Sequence, residues 1–159
     1  MASLPFPLPR RSTLLRGTAA NVASTLALAA CSRRETGAPL AGINAVSHWA
    51  FGDEAARRDD FTVTHTVLGA LTNQAASVFW AYVHERLFAA RRRRATLPRV
   101  VGEAVATSAL ACAIDYTITP KRLTPGFEQR LSRGSLVVVY AAFAAGLAAA
   151  TLLLPAAER

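Results

Sequence analysis

Residues Ser135–Leu154 read SLVVVYAAFAAGLAAATLLL, an apolar run without a single charge. Wound as a helix at about 1.5 Å per residue, a run of this length reaches about 30 Å, the thickness of a bilayer's hydrocarbon core. Two more windows match it in length: Thr64–Val83 (THTVLGALTNQAASVFWAYV) and Val100–Thr119 (VVGEAVATSALACAIDYTIT). The arginines fall almost entirely outside all three. Apolar rods joined by basic connectors are the pattern of a small multi-pass membrane protein. The expected fold class is therefore all-α, a membrane helical bundle of about four transmembrane helices.

The chain has 159 residues, enough for one domain. Hydrophobic residues make up 52% and charged residues 18%, values that an Ala-rich soluble bundle approaches but that lean toward the bilayer. A net charge of +8 raises the question of nucleic acid. Here the positive charge flanks the spans, as membrane topology requires, and no nucleic-acid partner is expected. Cys31 and Cys112 lie in apolar surroundings, without Cys-x-x-Cys or Cys/His zinc spacing, and are expected as inert buried thiols.

Residues 1–12, with Pro5, Pro7 and Pro9, read as a disordered N-terminal tail. A single helical transmembrane domain is expected over residues 13–155, with spans near 14–31, 64–83, 100–119 and 135–154, and a short tail at 156–159. The first span is the weakest. Gly17–Cys31 is short and carries Asn21, Ser24 and Thr25, and extending it takes in Arg16, which is expected to snorkel to the headgroups. The segment also has the outline of a signal peptide, and Leu28-Ala29-Ala30-Cys31 that of a lipobox. With later spans to hold the chain in the bilayer, a retained helix is preferred.

Between the first and second spans, Leu40–Phe51 is too short to cross and is expected as an interfacial or re-entrant helix with Trp49 at headgroup depth. The charged turn Asp53–Asp60 comes next, with Asp53/Arg57 and Glu54/Arg58 spaced i,i+4. The second span ends on Phe79, Trp80 and Tyr82, then the basic run Arg91–Arg94, the expected order on leaving a bilayer. Basic residues divide almost evenly between the two sides, so Arg91, Arg92, Arg93 and Arg94 decide the orientation: consecutive arginines resist translocation, and both termini are expected in the cytoplasm. The same four also suit anionic lipid headgroups.

Polar residues within spans cost free energy and mark either function or packing. Glu103 and Asp115 share an i,i+4 ridge with Thr107 and Ala111, near the two ends of the third span. They are expected to face the bundle, as helix-end or arginine-paired groups or as ion-handling ones. On the second span, His65, Gly69, Thr72, Asn73, Ala76 and Trp80 share one arc, with Asn73 placed for an interhelical hydrogen bond. Ala142, Gly146 and Ala150 form a small-xxx-small ridge on the fourth, fit for close helix packing or a homodimer. His65 and His84 sit near opposite ends of one helix and cannot share a metal. His48, Asp53 and Glu54, with His65, flank one loop and form the candidate loop site. No phosphate loop, nucleophile elbow or His-Glu-x-x-His motif occurs, and no cofactor or metal is expected.

Three segments, Gly42–Ala55 (GINAVSHWAFGDEA), Val78–Arg86 (VFWAYVHER) and Asp115–Glu128 (DYTITPKRLTPGFE), resemble those of a family of small, uncharacterised bacterial inner-membrane proteins. The resemblance implies a multi-pass fold in the bacterial inner membrane, no established activity and no catalytic residue to carry over. Small-residue helix faces and the absence of a catalytic constellation lead to the expectation of a non-enzymatic membrane protein, structural or accessory to a complex, with the bilayer, a second copy or another membrane protein as partners. The alternatives are a small ion, proton or solute transporter using Glu103 and Asp115, and a membrane enzyme with a site near His48, Asp53 and His65.

Overall fold

The computed structural model describes residues 9–88 and 96–154, and among them every regular element is helical. Four long helices form the body: α1 (Arg11–Thr36), α4 (Leu68–Phe88), α5 (Leu97–Thr117) and α6 (Arg133–Leu153). Two short ones, α2 (Ala41–Ala45) and α3 (His48–Phe51), lie in the first connection. Three helices, α1, α5 and α6, are long and apolar enough to cross a membrane. They support a membrane-embedded protein.

α1 is longer than the expected 14–31 at both ends and closes on Gly37, whose backbone N–H bonds back to Arg33 O. α4 is not among the three apolar helices, although its length would serve. Asn73 and Gln74 interrupt its middle. The N-terminal helix, which looked weakest, thus contains an apolar stretch of membrane length that α4 lacks. Pro98 lies in the first turn of α5, where its missing N–H is one of those a helix start leaves unpaired anyway.

The long helices make an up-and-down ring. α1 packs on both α6 and α4, and α5 completes the ring against α6 and, less extensively, α4. Ala20, Trp80, Ala104, Phe143 and Leu147 fill the middle. Gly146 lets α1 and α6 come this close: a Cβ there would lie 2.7 Å from Ala19 O. The small-xxx-small ridge of α6 therefore meets α1 within the chain. Outward faces carry Val22, Leu26, Leu71, Phe79, Val105, Val137 and Val138, all exposed. These apolar outer faces depart from the pattern of a water-soluble bundle.

The first connection caps one end of the ring. Ile43 and Val46 pack with Leu28, Phe127, Leu131 and Val139 in a second apolar cluster. The continuous helix expected over Leu40–Phe51 is broken in two, because Ser47 Oγ takes the Asn44 carbonyl at 2.7 Å and the chain turns there. The fully buried Asn44 pins the chain beyond this turn, donating to Arg58 O and Asp60 O at 3.0 Å each and accepting from Thr66 Oγ1 at 2.6 Å. A 3-10 turn, Gly52–Arg57, and a π-helical turn, Val63–Val67, lead into α4. Thr62 and Thr66 cap its start reciprocally: Thr62 Oγ1 accepts from His65 N, and Thr66 Oγ1 accepts from Thr62 N.

Candidate functional sites: a polar seam in the bundle and a groove at its end

The polar residues of α1 and α4 face each other along one seam. Asn73 Nδ2 donates to Asn21 Oδ1 at 2.8 Å and to Thr25 Oγ1 at 3.2 Å, and Gln74 Nε2 donates to Thr18 Oγ1 at 2.9 Å. Near the end of the seam, Arg16 pairs with Glu85, which also accepts from Thr13 Oγ1. Arg16 is thus fully buried against α4 and does not snorkel outward as expected. An ion pair in this position compensates a charge that hydrocarbon would otherwise exclude.

The seam between α4 and α5 is narrower. Thr107 Oγ1 donates to Glu103 O at 2.9 Å, so its oxygen is left to accept from His84 Nδ1, also 2.9 Å away. Glu103 pairs with Arg99 Nε one turn back at 2.9 Å. Between α5 and α6, Ser108 Oγ donates to Tyr140 O at 2.7 Å and Tyr140 Oη donates to Asp115 Oδ2 at 2.5 Å. Asp115, Asn73, Ser77, Trp80 and Tyr140 line a central cavity of about 70 Å³. The two acidic candidates therefore part company: Asp115 opens on the cavity, whereas Glu103 does not line it.

The loop candidates also separate. His48 is buried between two carbonyls, its Nδ1 at 3.1 Å from Ala45 O and its Nε2 at 3.2 Å from Lys121 O, and so stitches the first connection to the last. Gly126 makes this possible, with φ +90 and with His48 Nδ1 only 2.5 Å from where a Cβ would stand. His65 turns to Ser47 Oγ, 3.3 Å away, and to the edge of Phe51. Glu54 pairs with Arg58, one of the two expected i,i+4 pairs. Trp49 is partly exposed and donates to Thr72 Oγ1 at 3.2 Å. The Arg91–Arg94 run lies outside the described residues.

His48 and Asp53 share a groove of about 740 Å³ with Tyr116, Lys121, Arg122 and Glu128, the last four from the end of α5 and the turns after it. A groove of that size is in the range of small-molecule sites. Glu128 Oε1 accepts from Thr124 Oγ1 at 2.5 Å, and Arg122 Nε donates to Trp49 O at 3.1 Å. Among the described residues, no group of three His, Cys, Asp or Glu side chains is arranged to hold a metal ion. Sequence reasoning did not single out Asn21, Tyr140, Tyr116 or Glu128. Tyr140 did carry a signal, as the one tyrosine in the uncharged final span.

The fold and these sites define a small helical bundle with membrane-spanning potential and an internal polar seam. No protein-family model, curated protein or solved structure matches the chain.

Proposed function

We propose that the chain is a four-span protein of the bacterial inner membrane, with both termini in the cytoplasm, serving as a non-enzymatic structural or accessory part of a membrane complex. In this arrangement α4 crosses as the polar fourth span, shielded by α1, and Ala41–Phe51 sits at the far interface. The observation that carries the reading is the mutual pairing of intramembrane polar groups. Asn73 with Asn21, Gln74 with Thr18, His84 with Thr107 and Glu103 with Arg99 hold helices to one another or a helix to itself. Groups committed in this way stabilise a scaffold and leave the apolar outer faces for lipid or a partner.

The test is purification of the tagged full-length chain from membranes in mild detergent. A particle containing more protein mass than one chain, by light scattering corrected for detergent, is expected. A lone monomer that captures no other membrane protein would overturn the accessory role. Alkaline phosphatase fused after Arg159 should be inactive, whereas fused at residue 60 it should be active; the reverse pattern removes the orientation.

A second reading is favoured by the central cavity. Asp115 opens on a space of about 70 Å³, room for a few waters beside an intramembrane carboxyl. This suits a small ion or proton carrier. In proteoliposomes its flux should fall at least tenfold in Asp115→Asn and persist in Glu103→Gln, since only Asp115 lines the cavity. Flux absent in the wild type, or indifferent to Asp115→Asn, removes the carrier.

A further inference from the structure

The end groove holds charges of both signs that do not pair with each other. Among the described residues, Asp53, Lys121, Arg122 and Glu128 all line it and none forms an ion pair. One polar atom of its walls, Glu128 Oε2, is buried without a hydrogen-bond partner. Leaving a buried carboxylate oxygen unpaired is costly. What it lacks is a donor, and a carboxylate prefers a charged one. Lys121 and Arg122 follow Thr119-Pro120, just beyond the end of α5, and present the opposite requirement, an anion. Arg122 is held in place by its bond to Trp49 O. Exposed Ile118 and Leu123 flank the same turn and offer apolar surface beside it.

We propose that this groove binds a zwitterion carrying a primary ammonium and a phosphate, the phosphoethanolamine group. The ammonium donates to the Glu128 carboxylate, and the phosphate lies against Lys121 and Arg122. The shared chemistry has two sources, the headgroup of a phosphatidylethanolamine lipid or a free phosphoethanolamine. The lipid form rests on the assignment of α5 and α6 as membrane spans, which puts their connecting turns at headgroup depth.

Native mass spectrometry of the full-length chain in detergent tests this with phosphatidylethanolamine and phosphatidylcholine of identical acyl chains. The choline headgroup keeps both charges but has no N–H donor. The ethanolamine lipid should bind about fivefold or more tightly, the effect of one charge-assisted hydrogen bond. Glu128→Gln should abolish that preference, and Lys121→Ala/Arg122→Ala should weaken both lipids alike. Displacement of bound lipid by soluble O-phosphoethanolamine assigns the free zwitterion as the source, and lack of displacement assigns the lipid. Equal binding of the two lipids by the wild-type chain overturns the proposal. So does a preference that survives in a Glu128→Gln chain of unchanged helicity. Carbonate extraction of the same membranes keeps the two questions apart. A chain that stays in the pellet yet shows no preference loses only the groove, and a chain released to the supernatant loses the spans while O-phosphoethanolamine binding still tests the groove.

Discussion

Asn73 shows how a single side chain can decide which helices meet. Its amide reaches Asn21 and Thr25 on α1, and both are residues that made the first span look weak. The same polar atoms that lower the hydropathy of each helix are partners across the seam. Asn73→Leu is expected to destabilise the bundle by about 1 kcal/mol, because interhelical hydrogen bonds in membranes are modest. Thermal unfolding in detergent measures this, and the Asn21→Leu/Asn73→Leu double variant should lose less than the two single changes together. A larger loss is expected at Asn44, whose removal leaves two carbonyls without their Asn44 donor and the Thr66 hydroxyl proton without its acceptor. Asn44→Leu should cost about 2–3 kcal/mol by the same measurement. The role of Asn73 was legible in the sequence, since a polar side chain on a small-residue arc implies a partner. The identity of that partner was not, because it lies 52 residues away and only packing brings it close.

At the scale of the element, helix existence followed from apolar runs of membrane length, while helix ends and the first connection did not. α1 continues to Thr36 because Glu35 has a structural task beyond its own helix. Its carboxylate accepts from Ser132 N and Ser132 Oγ at 2.7 Å each and from Ser135 Oγ, capping the start of α6 from outside. Glu35→Gln is expected to lower the melting temperature and to speed proteolysis between residues 120 and 133, measured by limited digestion with mass spectrometry. No local pattern announces such a cap. The packing of α6 on α1 was more legible, through the small residues around Gly146. Gly146→Leu forces the two helices apart at Ala19 and Ala20 and should destabilise by roughly 1–3 kcal/mol, read from the detergent melt. At Gly126 the backbone itself is the constraint, with φ +90 and Ala45 O only 2.3 Å from where a Cβ would stand. Gly126→Ala should loosen the contact between the first and last connections, seen as faster amide exchange over residues 44–50.

For the molecule as a whole, the segregation of apolar runs from arginines carried the all-helical, membrane-embedded class, and three helices long and apolar enough to cross a membrane agree with that part of the expectation. The fourth long helix is the one whose placement depends on company. Hydropathy treats each segment alone, and α4 by itself is too polar around Asn73 and Gln74 to qualify. The grouping of sites was equally hidden. His48 and Asp53 were legible as neighbours along one connection, but Tyr116, Lys121, Arg122 and Glu128 join them only because the two connections fold onto each other.

That dependence of α4 on α1 bears on how the nascent polypeptide enters the bilayer. A segment with two amides at its centre partitions poorly into lipid on its own, whereas one whose amides are already matched does not bear the same penalty. In the proposed four-span arrangement, biogenesis should therefore be pairwise: the first hydrophobic segment waits beside the translocation machinery until the second emerges, and both leave as a hairpin. A ribosome-bound product lacking residues 1–36 should strand the second segment on the aqueous side, where an engineered glycosylation acceptor would report it.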